Sequence, residues 1–306
     1  MANTELISAL QDRIESEISS TPKVRKRKTV EELCFSVLAL RRRRGIPFDS
    51  ALTRLSSLQL GDGSWPCFPG DDASGSYATA LGIWALMTLG RHLSRSQSGV
   101  RWLLTAKGRE ANWLWRWKFQ TIDTSVRFDP RKYGWSWTPG TGSWVIPTSF
   151  SLIALQHVRN PRLSALLNDR ISMGVSMLLD RMCPGGGWNA GNGVAFGVAL
   201  APYIDATAIA LLALQLHDDK AINASLEWLR ARLPDCPSPH SLAWGILALA
   251  AYDKQGSEFG DSLEAASGRL ITAIPKACSF MDTATLATCA LALAALDGDN
   301  VFVVRA

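Results

Sequence analysis

Nowhere in these 306 residues does an apolar run reach the length of a membrane span. The most apolar stretch, ATLATCALALAAL at 284–296, falls well short of the roughly 20 residues a spanning helix needs. Cysteine is sparse: six residues, none in a C-x-x-C pair, which fits a reduced compartment and argues against a disulfide framework. The four histidines (His92, His157, His217, His240) share no ligand-like spacing with them, so neither a zinc site nor any other metal or cofactor is expected. Gly-rich phosphate loops and a G-x-S-x-G elbow are also missing. No basic segment followed by an apolar one opens the sequence, so no signal peptide is expected and the cytoplasm is the expected location.

What the chain does have is apolar residues (47%) and a net charge of +5. The positive charge is concentrated in KVRKRK (23–28) and RRRR (41–44). The second run follows LCFSVLAL, so it is expected to close a helix, where cations meet the negative end of the dipole. No nucleic-acid motif accompanies the charge, which leaves a solvated basic face or attraction to an anionic membrane surface.

Repetition organises the rest. TALGIWAL (79–86), TSFSLIAL (148–155) and TAIALLAL (207–214) share Thr, five residues, then Ala-Leu; LAWGILAL (242–249) and ATLATCAL (284–291) are looser copies. Each copy is apolar all round, the pattern of a helix buried on every side. Between them run amphipathic segments such as INASLEWLRARL (222–233) and LEAASGRLITAI (263–274). NTELISALQDRIESEI (3–18) has the same character, with Thr4 as the expected N-cap. About twelve helices and no strand pattern follow, with outer helices alternating with inner ones in an open solenoid or a closed ring. The joints LQLGDGSWPC (58–67), YGWSWTPGTGSWVIP (133–147) and GGGWNAGNG (185–193) combine glycine for tight reversal with tryptophan for clamping.

QLGDGSW at 59–65 fits the Q-x-x-x-G-x-W signature through Gln59, Gly63 and Trp65, the QW motif of squalene–hopene cyclases. GWSWTPGTGSW and GGGWNAGN are similar to it without the Gln, and TAIALLALQ resembles the inner helices that follow such turns. Over most of residues 29–297 the chain therefore resembles the terpenoid cyclase and protein prenyltransferase superfamily, most of all its short bacterial repeat members. The resemblance implies an all-α fold, an α/α toroid of about six hairpins with inner and outer rings. On that reading residues 1–28 form an N-terminal helix and basic linker, 29–297 the toroid and 298–306 a tail. It also implies an apolar isoprenoid, a polyprene or terpenoid, in a central cavity. Class II cyclase (isomerase) activity, peripheral contact with a membrane and an unspecified oligomeric state go with that.

The cyclases carry Asp-x-Asp-Asp ahead of Thr-Ala, with the central Asp as proton donor. Aligning on Thr207-Ala208 puts Asp205 on that position and replaces the flanking acids by Tyr203 and Ala206. Clustered carboxylates can hold a proton, whereas a lone one at a helix amino terminus is kept charged by backbone N–H groups and the dipole. Asp205 is accordingly expected as the N-cap of its helix, with a catalytic acid as the competing assignment. Asp71 and Asp72 in PGDDASGSY lack the third acid of a diphosphate motif, since position 75 is glycine, and are expected to cap the following helix. Asp62 is expected to brace the 59–65 turn, and Asp282 to cap a helix. The zinc-ligand motifs of prenyltransferases and lanthionine-type cyclases find no match. Trp113, Trp115 and Trp117 alternate at period two, which suits packing between helices or insertion at a membrane interface.

Aromatics available to meet a ligand are Trp84, Phe150, Phe196 and Trp244, with Tyr203 beside Asp205. An apolar central cavity would favour isoprenoid binding. A cavity filled by side chains would favour the alternative, a noncatalytic scaffold or partner subunit, and a polar cleft with paired acids would indicate a carbohydrate-active barrel.

Overall fold

The computed structural model describes residues 2–19, 28–43, 45–123, 125–253 and 258–304. Most of the basic run 23–28, Arg44 and the last two residues lie outside them. Thirteen α-helices form among the described residues.

Six of them build an inner ring: α2 (Val30–Ala39), α4 (Ser76–Thr88), α7 (Val145–Gln156), α9 (Ile204–Ala213), α11 (Pro239–Tyr252) and α13 (Thr283–Leu296). Each packs on the next, and α13 packs back on α2, so the ring closes. These are the helices that are apolar all round; in α4 every residue from Ala78 to Leu86 is buried. Outside them stand α1 (Ala2–Ser19) against α13, α3 (Ile46–Ser57) against α2, and α5 (Leu93–Thr105) against α4. The outer ring continues with α8 (Ser164–Asp180) against α7, α10 (Lys220–Arg232) against α9, and α12 (Gly260–Ala277) against α11. Outer helices bury a single stripe, as Ala266, Leu270 and Ile274 do on α12 at four-residue steps. The chain is an all-α toroid, with only two short two-residue ladders among the described residues.

Three tryptophans lock the joints in one repeated manner. The indole N–H groups of Trp65, Trp135 and Trp188 donate to the carbonyls of Leu55, Leu103 and Leu178 at 2.8, 2.8 and 2.7 Å. Those carbonyls belong to the last turns of α3, α5 and α8, where helix geometry leaves acceptors without an intrahelical donor. The backbone N–H of each tryptophan donates to Thr79, Thr148 or Thr207 Oγ1 on the next inner helix, at 2.9, 3.0 and 2.9 Å. Each tryptophan thus ties an outer helix end to an inner helix start. At the 59–65 turn, Gln59 Nε2 donates to the Gly63 and Arg95 carbonyls, and Asp62 accepts from Ser64 and Ser74. Partial burial works against the Asp62 charge, but the Ser64 and Ser74 bonds outweigh it and hold the carboxyl below its usual range. Gly63 sits at φ +94°, with Ser98 O where a side chain would go.

Helix starts follow side-chain chemistry where the sequence offers it. Thr29 and Glu32 form a reciprocal capping box on α2, and Asp282 caps α13 through Thr285 N at 2.7 Å. Thr4 is not a cap: Ala2 and Asn3 already belong to the first turn of α1. Asp71 and Asp72 do not cap α4, whose N-cap is Gly75; Asp71 closes a local turn onto Ala73 N instead. The arginine run ends α2 as its position suggests, with Arg41 donating to Leu38 O. Its described charges are paired, Arg41 and Arg42 with Asp299 and Arg43 with Asp12 and Glu15.

Past α13 the chain turns at Gly298, φ +81°, and runs back under the ring. Asn300 Nδ2 donates to Leu247 O and Gln215 Nε2 to Phe302 O, both at 2.8 Å, which fixes the tail and buries Phe302 completely.

Candidate functional site

The Trp–Thr joints set a common register at the amino-terminal end of the inner ring. Two residues before Thr79, Thr148 and Thr207 stand Tyr77, Ile146 and Asp205, all in first turns of inner helices. Asp205 therefore occupies a repeated position at the ring's mouth. It is not the N-cap of α9: that place belongs to Tyr203, which is exposed and makes no capping bond. Tyr203 takes the cap position because its backbone is extended, whereas Ile204 and Asp205 are already helical.

The Asp205 side chain is 37% exposed, with His240 Nε2 4.0 Å from Oδ2. Its neighbour is thus a base rather than a second acid. Across the mouth, the Tyr77 hydroxyl donates to Glu31 Oε1 at 2.9 Å. Burial pushes the Glu31 carboxyl above its ordinary range; the Tyr77 hydroxyl opposes the shift, and the charges of Asp282 and Glu32 add to it. The Tyr77 hydroxyl is in turn pushed well up by burial and by Glu31. Among the inner-helix starts, Glu31 is the carboxyl whose surroundings favour keeping a proton. The sequence carried a signal for it, an acid pair (Glu31, Glu32) heading an inner helix, but not the contact with Tyr77.

A pH test follows from the direction of that shift. A carboxyl whose folded-state pKa is raised weakens the fold as pH climbs from its ordinary value of 4.5 through the raised one. Glu31→Gln removes that penalty and keeps an acceptor for Tyr77. The variant is expected to melt higher than wild type at pH 8 and equally at pH 4, read by circular dichroism.

Beneath the mouth, aromatic side chains occupy the middle of the ring. Trp84, Phe150 and Trp244, expected as ligand-facing residues, are buried: all three meet Phe35 edge-on, and Phe150 meets Trp244. Phe302 stacks on Trp84 with centroids 4.4 Å apart and meets Trp244 edge-on at 5.4 Å. Rings of this size at 4.4–6.3 Å are in van der Waals contact, so these side chains fill the interior.

Aromatic surface appears instead around the rim. Phe68, Trp137, Trp144, Phe196, Tyr203 and Phe280 are exposed in the segments that lead into inner-helix amino termini. Phe196 has φ +52° at the tip of the hairpin formed by β3 (Val194–Ala195) and β4 (Val198–Ala199), the first pair being β1 (Trp65–Pro66) and β2 (Ser74–Gly75). The short helix α6 (Trp113–Thr121) adds Trp113, Leu114 and Trp117, and buries none of its residues. Packing between helices does not describe this segment: its tryptophans spread around a helix that stands outside both rings. Trp115 is the exception, held between Arg109 and Lys118 at 4.3 and 4.8 Å from the ring centroid.

No group of three or more His, Cys, Asp or Glu side chains among the described residues could hold a metal ion. Among the same residues, no helix is long and apolar enough to cross a membrane.

No protein-family model matches the sequence, and no curated protein does. Solved structures do match. A protein from Actinoplanes aligns with a TM-score of 0.61 and 16% identity over 96% of this chain and 99% of that one. A substituted form of the type II terpene cyclase MstE from Scytonema, in complex with geranylgeranyl dihydroxybenzoate, gives 0.57 and 13% over 98% of each chain. The fold is of the terpene cyclase type. MstE without ligand gives 0.53 and 16% over 89% of this chain and 79% of its own. At such identities the terpene cyclase-like likeness is one of backbone architecture.

Proposed function

We propose that this toroid binds an apolar isoprenoid chain on the aromatic rim of its mouth and does not cyclise it at Asp205. The observation that carries the reading is the division of aromatic side chains: one set fills the ring's interior and another stands exposed around its amino-terminal end. Protonating an alkene needs an acid that keeps its proton while facing an enclosed apolar space. Asp205 faces solvent and His240, and the enclosed space is occupied. The structural neighbour MstE binds geranylgeranyl dihydroxybenzoate, which supports a prenylated ligand class for this fold.

The filled interior also favours a second reading, a noncatalytic scaffold or partner subunit. Titration with geranylgeraniol, followed by tryptophan fluorescence, separates the two. Saturable quenching, weakened about tenfold or more in a Trp117→Ala, Trp144→Ala double variant, is the expected result; a tenfold loss corresponds to about 1.4 kcal/mol. No binding leaves the scaffold. A product assay with squalene and geranylgeranyl diphosphate is expected to yield nothing from wild type or Asp205→Asn. Cyclised product that disappears in a folded Asp205→Asn protein would instead make Asp205 the catalytic acid.

A further inference from the structure

Two stretches of the chain, 73–109 and 130–168, contain no Asp or Glu, yet carry Arg91, Arg95, Arg101, Arg159 and Arg162 among their basic residues. The fold lays part of one beside part of the other. Between one face of α5 and the 157–163 loop after α7 lies a cavity of about 780 Å³, with Met87 from the last turn of α4 in its lining. Leu93, Ser96, Gln97, Val100 and Arg101 supply the α5 wall, at the three- and four-residue steps that share one helix face. On the facing wall Val158 and Leu163 are apolar, and Arg159 and Arg162 are charged. That wall is fixed: Asn160 Oδ1 accepts from Arg162 N at 3.0 Å, and Arg159 Nη1 donates to Gln156 O at 2.7 Å. Among the described residues lining the cavity there is no carboxylate and no Phe, Tyr or Trp. Arg101 and Arg162 are exposed side chains, and among the described residues neither pairs with a carboxylate. The arginines at 41–43, by contrast, are all in ion pairs.

We propose that this cavity binds a soluble phosphate monoester carrying an aliphatic chain. Cations with no carboxylate beside them favour an anion, and a phosphate monoester brings about 1.5 to 2 charges at neutral pH where a carboxylate brings one. Exposed arginine side chains close on such a head by rotamer change, without backbone movement. Leu93 and Arg101 are eight residues apart on α5, about 12 Å at the rise of a helix, so one wall has an apolar end and a charged end that an octyl chain and its head span. Partial negative charge at the carboxyl ends of α4 and α7 keeps the head toward Arg101 rather than Met87. A nucleobase finds no aromatic face to stack on. The cavity lies at the carboxyl-terminal ends of these inner helices, away from the exposed tryptophans of the rim, and lacks the interfacial aromatics of a bilayer-facing surface. The site is independent of the aromatic rim reading, since its ligand and all its residues are different.

The test is calorimetric titration of the full chain at pH 8 with octyl phosphate below its micelle concentration, against octanoate, octanol, inorganic phosphate and adenosine monophosphate. Saturable binding of octyl phosphate, about tenfold tighter than each of the others, is expected. Arg101→Gln and Arg162→Gln, both at exposed positions, are each expected to weaken it about fivefold or more. Leu93→Ser is expected to weaken octyl phosphate more than butyl phosphate, whose chain falls short of it. Arg95→Gln, on the same helix but outside the cavity, and the Trp117→Ala, Trp144→Ala variant are expected to bind as wild type does. Vesicles of phosphatidylcholine with about 20 mol% phosphatidic acid are expected not to displace octyl phosphate. Absence of saturable binding, equal binding of any comparison compound, or an equal loss in Arg95→Gln would each overturn the assignment; displacement by the vesicles would overturn the soluble source in favour of a lipid head group.

Discussion

Phe302→Ala is expected to cost about 3–5 kcal/mol of stability, the range for removing a fully buried phenyl group. The residue lies in the tail that follows the last helix, where truncation is ordinarily tolerated. Here it is completely buried, stacked on Trp84 from α4 and edge-on to Trp244 from α11, so it joins two helices on different sides of the ring. Its backbone is fixed by Gln215, and the tail is tied to α2 through Asp299 and the Arg41–Arg42 pair. The neighbouring rings cannot collapse into the gap without moving whole helices, which keeps the cost near the upper part of the range. For a chain of this size, about 2–4 °C per kcal/mol applies, so the melting temperature should fall by about 6 °C or more. Benzene should restore part of the loss by filling the gap, since ligands of the native state stabilise by mass action. A fall of under one degree would show that the tail does not fill the ring.

The second large effect is expected at Trp135. Trp135→Ala removes a fully buried indole that bonds Leu103 O and lies face-on to Arg170 at 3.8 Å. Arg170 is itself buried; desolvation lowers its pKa to about 10, with Tyr133 opposing the shift. Its Nη2 reaches the Ala106 and Gly134 carbonyls, while Nε and Nη1 have no partner, so the indole face is a principal counterpart of the charge. Deleting the ring leaves a void, an orphaned carbonyl and a guanidinium facing empty space at once. A loss of about 4–6 kcal/mol is expected, combining the cavity cost with that of the unpaired acceptor. Trp135→Phe keeps most of the packing and should lose about 1–2 kcal/mol, the share of the Leu103 bond. Urea unfolding of both variants checks the ratio. Trp113→Ala, on exposed surface, serves as the control and should stay within about 0.5 kcal/mol of wild type.

Much of the site escaped the sequence for a reason visible in particular residues. Alignment on Thr207-Ala208 put Asp205 at the start of an inner helix, and it stands in the first turn of α9, because the Trp–Thr joint repeats in local sequence. What stands beside it, His240 from the next inner helix, depends on how two helices are set side by side. The Glu31–Tyr77 pair joins residues on α2 and α4, and neither shows in sequence that the other will be buried beside it and bonded to it. The α6 tryptophans misled in the opposite direction. Aromatic richness normally signals burial, and only the position of this helix outside both rings leaves Trp113 and Trp117 in solvent.

The sequence by itself determined the alternation of all-round apolar and one-sided helices and the tryptophan joints between them, a pattern shared by an open solenoid and a closed ring, since burial patterns of period 3.6 and turn chemistry are local properties. Closure of α13 onto α2, the filling of the ring by Phe302, the protonation-prone Glu31 and the arginine-lined cavity between α5 and the 157–163 loop were decided by tertiary structure alone. Each rests on groups brought together from distant parts of the chain, where contact and desolvation, rather than residue type, set what a side chain does.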